Sequence, residues 1–247
     1  MSLRRWGAQT RMELALVSRN GESLLLTLAL PVMILVFFSV VDVLPTGSVT
    51  GDPVDFLAPG VLALAVMSSA LVNLAIGTGF DRQYGVLKRL GATPLTRLEL
   101  LAAKVAVVLV VEAVQLTVLV LVGVALGWSP GAGLGLVIVG SLLATVGFAG
   151  IGLTLAGTLP GLVALAAANG LYFVLLLSSG MIIPLDELPG SARPVLRLLP
   201  STALADIAHG AVGTNGSLGA RPWLVLAAWG LVAPLVASRL FTWEPAR

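Results

Sequence analysis

The sequence predicts an all-α polytopic membrane protein with six transmembrane helices, and three observations carry that prediction. First, 57% of its 247 residues are hydrophobic and only 11% are charged, whereas a soluble domain carries roughly a quarter charged residues. Second, residues 113 to 185 contain no Asp, Glu, Lys, Arg or His. A hydrocarbon core of ~30 Å takes about 20 apolar residues per helix, so that stretch holds several spans. Third, runs such as LLLTLAL and VAVVLVV do not alternate in polarity. A barrel strand facing lipid would alternate, whereas a helix bonds its own backbone and need not.

The elements follow in chain order. Residues 1 to 23 mix Trp6, Met12, Leu14, Ala15 and Leu16 with Arg4, Arg5, Arg11 and Arg19. This segment reads as an interfacial helix, or else as a solvated basic leader that only orients the first span. It lacks the short apolar core and small-residue cleavage site of a signal peptide. Turn and breaker residues then divide the apolar sequence. Spans one, two and three are expected at 24 to 42, 55 to 79 (after TGSVTGDP) and 98 to 126. GWSPG separates span three from span four at 132 to 156, and GTLPG separates that from span five at 162 to 183. Span six is expected at 222 to 240, with a kink at Pro234. The six-span bundle, 24 to 240, and a tail, 241 to 247, complete a single domain over residues 1 to 247.

Charge sets the direction. The N-terminal segment, the 80 to 104 region and the C-terminal end from Arg239 onward carry eleven Lys and Arg, and the opposite segments carry three. The positive-inside rule places both termini in the cytoplasm. A net charge of +2 does not point to nucleic acid, and the chain has no cysteine and one histidine, His209. Thiol chemistry and a multi-histidine metal site are thereby excluded.

Four features stand out chemically. The stretch FDRQYGVLKRLGATPLTRLEL, residues 80 to 100, holds four of the fourteen basic residues. Over 81 to 90, Tyr84, Leu87 and Leu90 recur at helical spacing, with Arg82, Lys88 and Arg89 around them. Gly91 can stop that helix and Pro94 can open the next segment. An apolar face with a charged rim suits a docking surface; a loop that only fixes topology would need the charge alone. Glu112 lies deep in span three with Gln115 one turn on. The pair either lines a pathway or makes interhelical hydrogen bonds, for which Asn73 and Asn169 are candidate partners. The glycines of span four, from 131 to 157, predict close helix packing within the chain. Finally, Pro184, Pro189, Pro194 and Pro200 cut residues 184 to 212 into two short amphipathic helices, with Ser201 as an expected N-cap.

This layout resembles the membrane subunit of a type-2 ABC exporter, the permease class that moves drugs, lipids and polysaccharides. The resemblance covers nearly the whole chain. It rests on the six-span plan with an amphipathic N-terminal helix, on DRQYGVLKRLGATPLTRLELLAAK, and on SSGMIIPLDELPGSARPVLRLLPSTALADIAHGAV. His209 departs from the arginine common in that family. The resemblance implies that Asp81, Arg82, Tyr84, Gly85, Leu87, Lys88, Leu90 and Pro94 form a cytoplasmic coupling helix between spans two and three. It also implies re-entrant extracellular helices between spans five and six, with Pro184, Leu188, Pro189 and Pro200 at an outer gate.

The chain holds no G-x-x-x-x-G-K-[ST] phosphate loop: Lys88 precedes Arg89 and Lys104 precedes Val105. ATP and Mg are therefore expected on a separate cytoplasmic ATPase, two copies per complex, with no cofactor bound by this chain. A second permease chain, most simply an identical one, and membrane lipid are the other expected partners. The expected location is the bacterial plasma membrane and the expected substrate is amphipathic. The alternative is an ATP-independent secondary transporter, but no half-to-half repeat accompanies the one deep carboxylate. A membrane enzyme would need a metal cluster or paired acid and base groups, and the sequence has neither.

Overall fold

The computed structural model describes residues 2–41, 53–212 and 218–242. All regular structure among them is helical. The expected TGSVTGDP connection, apart from Pro53, and residues 243–247 of the tail lie outside the described residues.

Helix α1 (Leu3–Arg19) ends at Asn20, and α2 (Gly21–Val40) follows at once. Span two is one 31-residue apolar rod, Pro53–Gln83. It consists of α3 (Pro53–Met67), a π-helical stretch (Ser68–Asn73) and α4 (Leu74–Gln83). After a break comes the short α5 (Val86–Gly91). Helix α6 (Arg97–Ala125) starts in a capping box. Glu99 N–H donates to Thr96 Oγ1 (3.3 Å) and Thr96 N–H donates to Glu99 Oε2 (2.9 Å), so two of the helix's orphan donors are satisfied reciprocally. Helices α7 (Leu134–Thr158) and α8 (Gly161–Ser178) are joined by a tight turn at Leu159 and Pro160. Two short helices, α9 (Arg193–Leu196) and α10 (Pro200–Val212), precede α11 (Ala220–Leu240).

Five of these elements are long and apolar enough to cross a membrane, and α2 adds the shorter apolar stretch Thr27–Val40. The protein is thus a polytopic helical membrane protein. Span two forms the centre, with 78% of its most apolar window buried, against 17% for α11. Helix α7 packs along α11 through its glycines, as the sequence predicts. A Cβ on Gly150 would lie 2.5 Å from the backbone of Ala233 and Pro234, and one on Gly152 would lie 2.7 Å from the Leu71 carbonyl. Only a residue without a side chain admits such approach.

Several expectations need correction. Residues 81 to 90 are not one helix: Gly85 takes a left-handed φ of 74° and separates α4 from α5. Glycine pays no steric penalty there, so the chain turns at that residue. Span five stops at Ser178 rather than 183, because Gly180 (φ 80°) redirects the backbone. Ser201 is no N-cap. Helix α10 begins one residue earlier, at Pro200, and Ser201 is wholly buried in its first turn. Proline at a first helical position forfeits no hydrogen bond.

Candidate functional site

The end of the bundle that carries α1 and α5 concentrates the charge. Lys104, on the first turns of α6, is buried and paired on two sides. Its ammonium lies 2.9 Å from Asp81 Oδ2 on α4 and 3.1 Å from Glu13 Oε1 on α1. Gln9 adds a hydrogen bond to Glu13 (3.0 Å). Nearer the start of α6, the buried Glu99 carboxylate meets Arg5 at 3.4 Å and accepts the Ser2 N–H at 2.6 Å. Arg5 also donates to the Pro94 carbonyl. Helix α1 is thus strapped across the start of α6 and the loop before it. Charge-assisted bonds in a site of low water content hold geometry well, since each loss leaves a charge unpaired.

The residues expected at a coupling element divide into anchors and exposed groups. Leu87 is wholly buried within the chain, so its side chain fixes α5 to the bundle instead of lying free for a partner. Arg82 is also buried, and its guanidinium donates to the carbonyls of Ala156 and Leu159 at the end of α7, both at 3.0 Å. It is therefore not a rim charge. Asp81 holds Lys104, Leu90 is half-buried, and Pro94 accepts from Arg5. What projects outward is Tyr84 (72% exposed, stacked on Phe80), Val86, Lys88 and Arg89.

Deeper in the bundle, Glu112 and Gln115 are buried as expected, but their partners differ from those the sequence suggested. Thr145 Oγ1 on α7 lies 2.6 Å from Glu112 Oε2 and 2.8 Å from the Ser141 carbonyl. Ser69, in the π-helical stretch, donates to Gln115 Oε1 (2.9 Å), and Gln115 donates to the Thr27 carbonyl (2.8 Å). Asn73 bonds Thr27 Oγ1 (3.3 Å), and Asn169 donates to Leu165 O of its own helix. Neither asparagine bonds Glu112. These contacts tie α6 to α2, to span two and to α7. The π-helical turn adds a residue to the helix and re-aims the side chains around it. The sequence carried no sign of it.

At the other end, α10 is buried along most of its length and packs on α3 and α7. Its His209 stacks on Phe56, with ring centroids 4.5 Å apart. Pro200 is buried, Pro184 and Leu188 are half-buried, and Pro189 is exposed. Leu188 also supplies a carbonyl to Arg193 (3.0 Å), which meets Asp186 at 3.4 Å on the surface. Among the described residues, no three His, Asp or Glu groups stand together as a metal site.

Sequence reasoning passed over Lys104, Glu13, Glu99 and Arg5. One signal was readable: T-x-x-E ahead of an apolar run marks the Thr96 capping box, and with it Glu99.

A bundle with a charged, strapped end and a closely packed opposite end is the outline of a polytopic helical membrane protein. The family model for the ABC-2 type transporter matches residues 5–211, and the chain belongs to that family. It is accordingly the membrane subunit of an ABC transporter, a kind of subunit that is generally not catalytic. No curated protein matches the chain.

Proposed function

We propose that this chain is the permease of an ATP-driven exporter of amphipathic molecules and works with two copies of a separate cytoplasmic ATPase that bind ATP and Mg. In this reading residues 1 to 247 act as one unit in the bacterial plasma membrane, with both termini cytoplasmic. The observation that carries the reading is the anchored α5 element. Leu87, Arg82 and the Asp81–Lys104–Glu13 cluster fix its base to three helices. Tyr84, Val86, Lys88 and Arg89 project from it. A rigid base transmits displacement, and an aromatic and apolar centre with a cationic rim suits a protein interface. ATP-driven movement of the docked subunit would reach span two through Asp81 and Arg82.

A second permease chain, most simply an identical copy, completes the pathway in this account. The exposed apolar faces of α8 and α11, such as Leu162, Phe173, Val174, Leu224 and Leu231, offer surface for lipid and for that copy. Glu112 serves as a hydrogen-bonding tie between α6 and α7. The helices around Pro184, Leu188, Pro189 and Pro200 close the outer end.

The test is purification of the full chain from its native membrane, followed by mass measurement and proteoliposome transport. The proposal expects two copies of the chain, two of an ATPase, and export that needs ATP. Export by the chain alone, driven by an ion gradient, would establish the secondary-transporter alternative.

A further inference from the structure

His209 is the one histidine of the chain, and it sits where α10 meets the start of span two. Its ring stacks on Phe56 of α3, with centroids 4.5 Å apart and 12° between the planes. The residue as a whole is half-buried, but its Nε2 is buried and has no hydrogen-bond partner. The wall beside that nitrogen is bare backbone: a Cβ on Gly60 would lie 3.5 Å from Nε2 and would collide with the Met181 carbonyl. An imidazolium carries an N–H on both ring nitrogens. In this pocket it would hold a charge with no counter-ion and an Nε2–H with no acceptor. Burial pushes His209 down to about 4, and a hydrogen bond with the Gly180 backbone offsets only part of that. Neighbouring charges bring no relief. Of the helices packed on α10, α7 carries no titratable group, α8 carries Tyr172, α3 carries Asp55, and α11 carries Arg221 near its start and Arg239 at its far end. None of them acts on the ring. In the turn after Gly180, Asp186 pairs with Arg193 and Glu187 is exposed. On α10 itself, burial pushes the Asp206 carboxyl up, and Arg197 and Arg221 pull against that. The other ties of α10 are neutral: Gly140 receives Ile207, and Thr202 donates to the Ser178 carbonyl at 3.3 Å. His209 is thus the group in this contact that acid would charge.

We propose that His209 is a proton-released latch: the neutral ring locks α10 against α3, and protonation frees α10 from the start of span two. In the open state the ring meets water and regains its ordinary value of about 6.5. The closed value lies below the open one, so a proton favours the open state. The latch is therefore fully engaged above about pH 6.5 and weakens as the pH falls toward about 4. One proton separates the two states, so within that window each unit of pH raises the open population by up to about tenfold. The latch does not depend on the exporter reading. That reading adds only that the protons come from outside the cell.

The test uses the full chain in nanodiscs, purified without a histidine tag, and follows amide hydrogen exchange corrected for the chemical rate at each pH. Exchange across α10 is expected to rise about tenfold from about pH 6 to about pH 5, while α7 stays protected. The rise should vanish in His209→Phe, whose ring can keep the stack without a titrating nitrogen. It should persist in Asp206→Asn, which removes the other titrating group of the helix. A rise that survives in folded His209→Phe overturns the proposal. So does a rise that is lost in folded Asp206→Asn, one that α7 shares, or exchange in the unaltered chain that ignores pH. Should either variant fail to fold, the ring-nitrogen resonances of the unaltered chain decide, and a single histidine leaves no ambiguity of assignment. Protonation of the ring in step with the rise in exchange supports the latch. A ring that protonates near about pH 6.5 while α10 stays protected overturns it.

Discussion

The two ends of this bundle are built by different means. Around α1 and α5, buried charge holds helices together: Lys104 joins three elements, Glu99 joins α1 to α6, and Arg82 reaches the end of α7. Around α10, close approach and stacking do that work: Gly133 packs on the Ala211 carbonyl, Gly140 on Ile207, and Phe56 on His209. The ion pair at that end, Arg193 with Asp186, lies at the surface, with the Asp186 side chain 81% exposed. Directional charged contacts resist sliding, because each small displacement breaks them. Apolar contacts between small residues have no such preferred register. In the proposed exporter, the first end would receive the push of the ATPase and the second would rearrange.

Substitutions can break this contrast. The largest effect is expected from Lys104→Ala, which leaves Glu13 and Asp81 facing each other in a largely buried site. Loss of one buried partner costs 3–5 kcal/mol, and the partial exposure of Asp81 brings the figure to about 3 kcal/mol. It should appear as a lower melting temperature in detergent and as protease sensitivity between α1 and α2. Gly150→Val comes next, at about 2 kcal/mol, because the new methyls meet the α11 backbone and no side chain there can yield. Folded yield reads it directly. Glu112→Leu should cost about 1 kcal/mol, in keeping with modest interhelical hydrogen bonds in membranes. Glu112→Gln should cost less, since its amide N–H can donate to Thr145 Oγ1 while that hydroxyl donates to the Ser141 carbonyl. Equal losses from Leu and Gln would mean that the carboxylate does something other than tie α6 to α7. Asp186→Ala should shift stability by no more than about 0.5 kcal/mol, as for exposed pairs generally. A shift as large as that of Lys104→Ala would erase the contrast.

Much of the fold was legible because lipid imposes a simple rule. Long uncharged runs must be helices, and the breakers GWSPG and GTLPG had to fall between them. The span-four glycines announced close helix packing within the chain, since a small residue has little other reason to recur there; that the neighbour is α11 shows only in the structure. The candidate site was less legible. The Tyr84–Leu87–Leu90 stripe fits a helix, but Gly85 turns the chain inside it, and periodicity alone does not report the sign of φ. Arg82 and Lys88 look alike in sequence, yet one is buried against carbonyls and the other is exposed; tertiary packing makes that choice. Thr145 on α7, Thr27 on α2 and Ser69 in the π-helical turn of span two bond the deep polar pair, and tertiary packing chooses those partners. Hydroxyls bonded within their own helix look the same in the sequence, as Thr117 and Thr154 do.

The most direct test of the central claim is co-purification of the ATPase with chains altered only on the exposed part of α5 and at Tyr84, two residues before it. Tyr84→Ala removes the aromatic centre, and Lys88→Glu with Arg89→Glu reverses the rim. The account predicts normal amounts of chain in the membrane, loss of the ATPase by about tenfold or more for Tyr84→Ala, as for a central interface residue of ≥ ~2 kcal/mol, and salt-dependent loss for the charge reversals. Full retention of the ATPase together with undiminished export in both variants would contradict it, and would leave residues 80 to 100 as a signal for topology alone.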